Sequence, residues 1–256
     1  MKNALVTGAS SGIGLEFSRQ LAGMGYALAM VSNREQELAD AAEGIRAEFG
    51  VSVQSLCIDL TQPGAAEEVL AWCPSPDVLI NNAGMFFMEY LSPESLGKVR
   101  TMMALHMNVV TELCILAGSR MKESGGGHIL NISSMTARIP SPGIAVYSST
   151  KAYLKTFGKS LSYELHPFGV IVTTVCPAAV DTGLYPLGDR LRRFLRGIGV
   201  IRTPEWLVRR SLKAMFHGRR TFSPGLTNAL LPPLIALLPA RLIDRLGLKW
   251  IRKESE

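Results

Sequence analysis

The sequence predicts an α/β fold, a doubly wound parallel sheet of about seven strands with helices on both faces. Three observations predict it. Short apolar runs alternate with longer segments of helical period, the runs are continuously hydrophobic as strands covered on both faces must be, and the order reads βαβαβ twice over. A chain of 256 residues, 47% hydrophobic and 19% charged, can bury one large core and is too apolar for disorder.

The elements follow in order. The apolar run 3–7 is the first strand, and the glycine-rich turn behind it leads into a helix over 14–24. Runs at 27–31 and 53–58 give the second and third strands, separated by a helix over 35–49. A short helix over 65–70 precedes the fourth strand, 77–80. A long helical segment, 93–122, ends at Ser124-Gly125-Gly126-Gly127, which reads as a C-cap loop before the fifth strand, 128–132. A helix over 147–165, a sixth strand over 170–176, a helix over 204–217 and a short seventh strand near 221–223 complete the layout. There is no repeat or linker, so residues 1–225 are expected to form one domain, with 226–256 as an apolar and basic extension.

Cys57, Cys73, Cys114 and Cys176 are scattered without a CxxC pair and read as buried thiols in a reducing cytoplasm. The first strand begins at Asn3, which leaves no room for a secretion signal, so a cytoplasmic location is expected. His106, His128, His166 and His217 have neither metal-ligand spacing nor an obvious acidic partner; they read as structural or solvated, with no metal site. The net charge of +6 is uneven. Residues 1–188 carry 12 Lys/Arg against 16 Asp/Glu, and residues 189–256 carry 15 against 5.

The turn after the first strand reads Thr7-Gly8-Ala9-Ser10-Ser11-Gly12-Ile13-Gly14. Glycines at a strand-to-helix turn let backbone approach a pyrophosphate, whose charge the helix N-terminus stabilises, which suits a Rossmann-type dinucleotide site directly after the first strand, although three glycines in a turn also occur for steric reasons alone. The second strand ends Val31-Ser32-Asn33-Arg34, without the acid that would accept ribose hydroxyls. Asn33 and Arg34 instead suit the 2′-phosphate of NADP(H), although Arg34 could merely open a solvated helix face beside Glu35 and Glu37. Asp59, followed by Leu60, could accept from an adenine amino group or cap a turn before Thr61. Asn81-Asn82-Ala83-Gly84 after the fourth strand are small and amide residues suited to close passage of the cofactor.

Tyr147 and Lys151 stand four apart at the start of a helix, so their side chains meet on one face. A free phenol has a pKa near ~10, too high for acid–base work at neutral pH, and a neighbouring ammonium lowers it. Ser134 ends the preceding strand, where its hydroxyl could bind a reacting oxygen.

Together these segments resemble the short-chain dehydrogenase/reductase family over about residues 2–225. Residues 7–14 match its TGxxxGxG, residues 81–84 its NNAG, Asn108 its mid-helix asparagine, and Ser134, Tyr147 and Lys151 its serine and YxxxK. The resemblance implies hydride transfer between a nicotinamide and a carbonyl or alcohol by a tetrad of Asn108, Ser134, Tyr147 and Lys151. In it Tyr147 donates the proton, Ser134 binds the same oxygen, Lys151 holds the nicotinamide ribose and Asn108 positions a water. Ser133 is open to a supporting role. The chain departs from the family's Pro-Gly after the sixth strand: it reads Pro177-Ala178-Ala179-Val180-Asp181-Thr182, with Pro177 and Val180 beside the nicotinamide and Thr182 near the carboxamide. The resemblance also implies a homodimer or homotetramer.

Substrate loops should follow the fourth, fifth and sixth strands. Met85-Phe86-Phe87-Met88, Met135, Ile139, Ile144, Leu184, Tyr185, Leu187 and Phe194 there give an apolar pocket or pack a lid, and point to a lipid-like ketone, 3-oxoacyl or steroid substrate. Pro232, Pro233 and Pro239 argue against a membrane-spanning helix in the tail, while residues 241–253 alternate basic and apolar positions, suited to a membrane surface, the pocket or a partner subunit. Two other classes compete. An NADP(H)-binding redox sensor would need the glycine turn but not Ser134, Tyr147 and Lys151 together, and a nucleic-acid binder would not alternate its charges with Leu, Ile and Trp, so no nucleic-acid partner is expected.

Overall fold

The computed structural model describes residues 2–139, 141–181, 201–239 and 241–243. Seven strands form one parallel sheet in the order β3-β2-β1-β4-β5-β6-β7. They are β1 (Asn3–Thr7), β2 (Ala27–Ser32), β3 (Val53–Cys57), β4 (Val78–Asn81), β5 (Gly127–Ile132), β6 (Val170–Val175) and β7 (Thr221–Phe222). The helices are α1 (Gly12–Gly23), α2 (Glu35–Phe49), α3 (Ala65–Trp72), α4 (Leu96–Met103), α5 (Val109–Glu123), α6 (Ala145–Leu165), α7 (Pro204–Phe216) and α8 (Leu226–Ala236).

Each strand feeds alternate side chains to two cores. Ala4, Val6, Leu28, Met30, Ile80 and Leu130 pack with Phe17, Leu21, Leu38, Ile45 and Leu212 of α1, α2 and α7. Leu5, Val31, Leu79, Ile129 and Val172 face the other way, onto Leu70, Leu113 and Leu161 of α3, α5 and α6. Burying a side chain of the size of Phe17 or Leu113 contributes about 1.5–3 kcal/mol, so both layers hold the sheet.

The structure departs from the sequence expectation in two places and adds a helix in the tail. The long segment 93–122 is broken into a 3₁₀ turn (Pro93–Ser95), α4, a π-helical turn (Ala104–Asn108) and α5. This run is apolar and long enough to cross a bilayer, yet Val109, Val110, Leu113, Cys114, Ala117 and Met121 are buried in the core. Cys57, expected to be buried, is exposed, because it ends β3 at the sheet edge. Burial pushes the Cys73 thiol up to about 11 and Cys114 to about 12, which leaves both inert. The start of the tail is ordered as α8, whose Asn228 side chain donates to the Cys176 and Pro224 carbonyls.

Candidate active site

The strand order reverses between β1 and β4, and in such sheets the crevice at the carboxyl ends beside that reversal is where ligands bind. A cavity of about 760 Å³ lies there, a size suited to a cofactor. Gly8, Ser10, Ser11, Gly12 and Ile13 line it, as do Asn33, Arg34, Asp59, Leu60, Asn82, Ala83 and Gly84. So do Ser134, Tyr147, Lys151, Pro177, Ala178 and Val180. The chain thus brings most of the expected site together from six strand ends.

The glycine turn is built by exclusion. Gly8 has φ +64°, and a Cβ on it would sit 2.9 Å from the Ala83 Cα; one on Gly14 would sit 2.0 Å from the Gly8 carbonyl oxygen. Gly14 is therefore behind the turn, packing helix on strand, rather than on the cavity wall. The Asn82 side chain donates to the Thr7 and Gly8 carbonyls, and the Thr7 hydroxyl accepts from the Asn82 and Ala83 amides. The two loops flanking the reversal point are thereby locked into one floor that leaves room for a ligand's phosphates above it.

At one end of the cavity, Ser10 and Ser32 hydroxyls pair at 2.9 Å, and Arg34 caps α2 with its side chain 61% exposed. Its guanidinium meets Glu37 at 2.9 Å. An exposed pair of this kind contributes at most about 1 kcal/mol, so Arg34 can exchange Glu37 for a phosphate at little cost. Asp59 caps the turn, accepting from the Thr61 amide and hydroxyl, bonds that hold its carboxyl below the usual range. It still lines the cavity, so capping and contact are compatible.

At the other end lie Ser134, Tyr147 and Lys151, all nearly buried. The Ser134 oxygen accepts from the Thr136 amide, while Ser133 donates to the Lys151 carbonyl and so holds the helix rather than the ligand. Lys151 donates to the Ile132 carbonyl at 3.0 Å, with its ammonium 5.7 Å from the Tyr147 ring centre. Burial pulls its pKa down to about 8, so at neutral pH it is still mainly charged. Ala178 stands where the resembling family has glycine. No described non-glycine residue has a positive φ, so the backbone there needs no glycine.

Asn108 does not join this group. It is exposed and is not among the cavity-lining residues; it shares the solvent face with Glu112, Ile115 and Ser119. His106, two residues earlier, takes the inner position, 1% exposed and on the cavity wall. Helical spacing gives the physical reason. The buried stripe Met121, Ala117, Leu113 and Val110 runs back to His106 and leaves Asn108 outside. That stripe was the available signal, and the absence of metal-ligand spacing had set His106 aside.

The hydrogen bonds around His106 fix its form. The Met85 amide donates to Nε2 at 3.0 Å, so Nε2 carries no proton. The Thr150 hydroxyl donates to the Tyr147 carbonyl, so at its 3.0 Å contact with Nδ1 it is the acceptor. His106 is neutral and protonated on Nδ1, and burial, with the Lys151 charge, pulls its pKa down to about 2. It ties the loop after β4 to the helix that carries Tyr147, and its ring meets the Tyr147 ring edge-on at 5.8 Å.

The same loop places Phe86 edge-on against Tyr147 at 5.0 Å. Of the expected apolar loop residues Met85 lines the cavity, while Met135, Ile139 and Ile144 are buried or half-buried and do not line it. Thr182, Leu184, Tyr185, Leu187 and Phe194 lie outside the described residues. Among the described residues no group of His, Cys, Asp and Glu is placed to hold a metal.

Residues 2–186 match the family described as short chain dehydrogenase. The chain is 28% identical over 254 residues to a very-long-chain 3-oxoacyl-CoA reductase of Danio rerio, covering 95% of this chain and 78% of that protein. A short-chain dehydrogenase from Sphingobium yanoikuyae, solved with NADPH, superposes with a TM-score of 0.79 at 27% identity, over 94% of this chain and 97% of that one. A bulky-bulky ketone specific alcohol dehydrogenase from Comamonas testosteroni gives 0.77 at 27% identity, over 100% and 94%. With the fold and the Ser134, Tyr147 and Lys151 cluster already in place, these matches leave one assignment: the chain belongs to the short-chain dehydrogenase family and is an oxidoreductase.

Proposed function

We propose that this oxidoreductase reduces a bulky, apolar carbonyl compound with NADPH, Tyr147 serving as the proton donor. The observation that carries the proposal is the single cavity that has Arg34 and the glycine turn at one end and Ser134, Tyr147 and Lys151 at the other. The cofactor fits what the residues leave open: a phosphate floor that only glycine at position 8 lets pack against the Ala83 backbone, and a weakly paired arginine where a 2′-phosphate would lie. Bound NADPH supplies the hydride.

The protein does the rest. Ser134 donates a hydrogen bond to the carbonyl oxygen and fixes its direction. Tyr147 delivers its proton to that oxygen as negative charge builds there. The Lys151 ammonium, held at the Ile132 carbonyl, stabilises the phenolate left behind. His106 takes the mid-helix position in place of Asn108, holding the Met85 loop and the Tyr147 turn in register.

Cofactor choice is tested by exchanging charge at the end of β2. Asn33→Asp with Arg34→Leu puts a carboxylate where the 2′-phosphate would sit and should reverse a preference for NADPH over NADH in binding titrations. Tighter binding of NADH by the unmodified protein would contradict the role of Arg34.

Met85 on the cavity wall and Phe86 against the Tyr147 ring support the substrate class, as do the names of the Danio rerio and Comamonas testosteroni relatives. A buried CH₂ contributes about 0.8 kcal/mol. Two further carbons in a keto series should therefore raise kcat/KM by up to roughly tenfold until the pocket fills. A flat series, or a preference for the smallest polar carbonyls, would overturn the apolar reading and leave the family assignment standing.

A further inference from the structure

We infer that α8 and the turn after it form a surface that lies on an anionic lipid bilayer. The helix has two unlike faces. Its inner face is anchored: Asn228 is 1% exposed and bonded to the Cys176 and Pro224 carbonyls, and Pro232, one turn on, is buried. Its outer face is a row of leucines open to solvent, Leu230 at 60%, Leu234 at 59% and Leu237 at 81%. Leu238 and Leu242 extend the row through the turn, where the Leu238 amide bonds to Ile235 and the Leu242 amide to Pro239. Positions 230, 234, 237, 238 and 242 follow helical spacing, and Asn228 and Pro232 take the other side. A monomer in water rarely leaves such a row uncovered.

Charge identifies the cover. Residues 189–256 hold 15 Lys/Arg against 5 Asp/Glu, and residues 241–253, which follow the leucine row in the sequence, hold five against one, beginning with exposed Arg241. A basic segment that follows an apolar row in the sequence complements a layer of acidic headgroups over acyl chains. Two copies of the same face would set like charges against each other, and a nucleic acid would leave the leucines in water. The eleven residues of α8 are too few to span a bilayer, so the helix rests in the interface. Its anchor at Cys176 adjoins Pro177 on the cavity wall, and it packs against Met135–Arg138, the turn behind Ser134. The membrane-facing row is therefore close to the reacting end, although the surface itself does not depend on which substrate is reduced.

Vesicle flotation of the full chain without substrate tests this. Vesicles of phosphatidylcholine with phosphatidylglycerol should carry the protein upward, phosphatidylcholine alone should carry far less, and added salt should release part of it. Leu230→Ser with Leu234→Ser should lower partitioning onto the anionic vesicles by roughly tenfold, while NADPH binding and the thermal melt stay those of the unmodified chain, showing that the variant is folded. No flotation with phosphatidylglycerol, or equal flotation of the variant, would overturn the proposal. So would sedimentation showing an unmodified dimer that the serine variant splits, because the leucine row would then be covered by a second copy.

Discussion

Tyr147→Phe should lower kcat for carbonyl reduction by roughly a thousandfold, within the span set by the loss of one positioned general acid, while NADPH binds as before. The ring keeps its place, because Phe86 and His106 pack against it edge-on and neither contact needs the hydroxyl. Only the proton is removed. Single-turnover oxidation of NADPH, with binding followed separately by fluorescence, divides the two effects. Lys151→Met should damage both, since the ammonium faces the ring and the cavity together. Retention of most activity by the phenylalanine variant would remove Tyr147 from the chemistry.

His106 should make the protein sensitive to acid. Its pKa is about 2 when folded and near ~6.5 when unfolded, so below that value the unfolded chain binds a proton that the folded chain refuses. The unfolded state then holds more protons, and stability falls with pH by about 1.4 kcal/mol per unit for this group, or about 2 kcal/mol at roughly pH 5. Above about 6.5 the contribution is flat. The penalty is geometric as well as electrostatic, because a proton on Nε2 would face the Met85 amide donor. Urea unfolding at a series of pH values should show the slope in the unmodified protein and a shallower one in His106→Asn. His128, whose pKa is also lowered by burial, and Asp59, whose carboxyl is held low by its Thr61 hydrogen bonds, add to the remaining slope in the same direction. Equal slopes in the two proteins would mean that His106 titrates as an ordinary histidine.

What could be read from the sequence was local. Tyr147 and Lys151 meet because four residues make about one helical turn, and Gly8 and Gly12 line the cofactor end because a turn between strand and helix can close only one way. The strands followed from their continuous apolarity, and Asp59 caps its turn as one of its readings expected while also lining the cavity. What escaped was overlooked spacing or depended on distant chain. His106, not Asn108, continues the buried stripe of Val110, Leu113, Ala117 and Met121, a helical spacing present in the sequence but outweighed there by the match of Asn108 to the family's asparagine. His106 also draws its partners from positions 21 and 44 residues away, Met85 and Thr150, which no local spacing reveals. Cys57 was misplaced for a similar reason: whether a strand end is covered depends on its rank in the sheet, and β3 proved to be an edge.

The proposal that this chain moves hydride from NADPH to an apolar carbonyl is tested most directly by an isotope. With NADPH deuterated at the transferable position of C4 and a long-chain 3-oxoacyl thioester or bulky ketone, mass spectrometry of the product should find one deuterium on the new carbinol carbon, and none there when Tyr147→Phe is used over the same time. Absence of labelled alcohol from the unmodified protein across the apolar panel, with NADPH bound but not consumed, would contradict the account and favour a dinucleotide-binding protein that does not turn over.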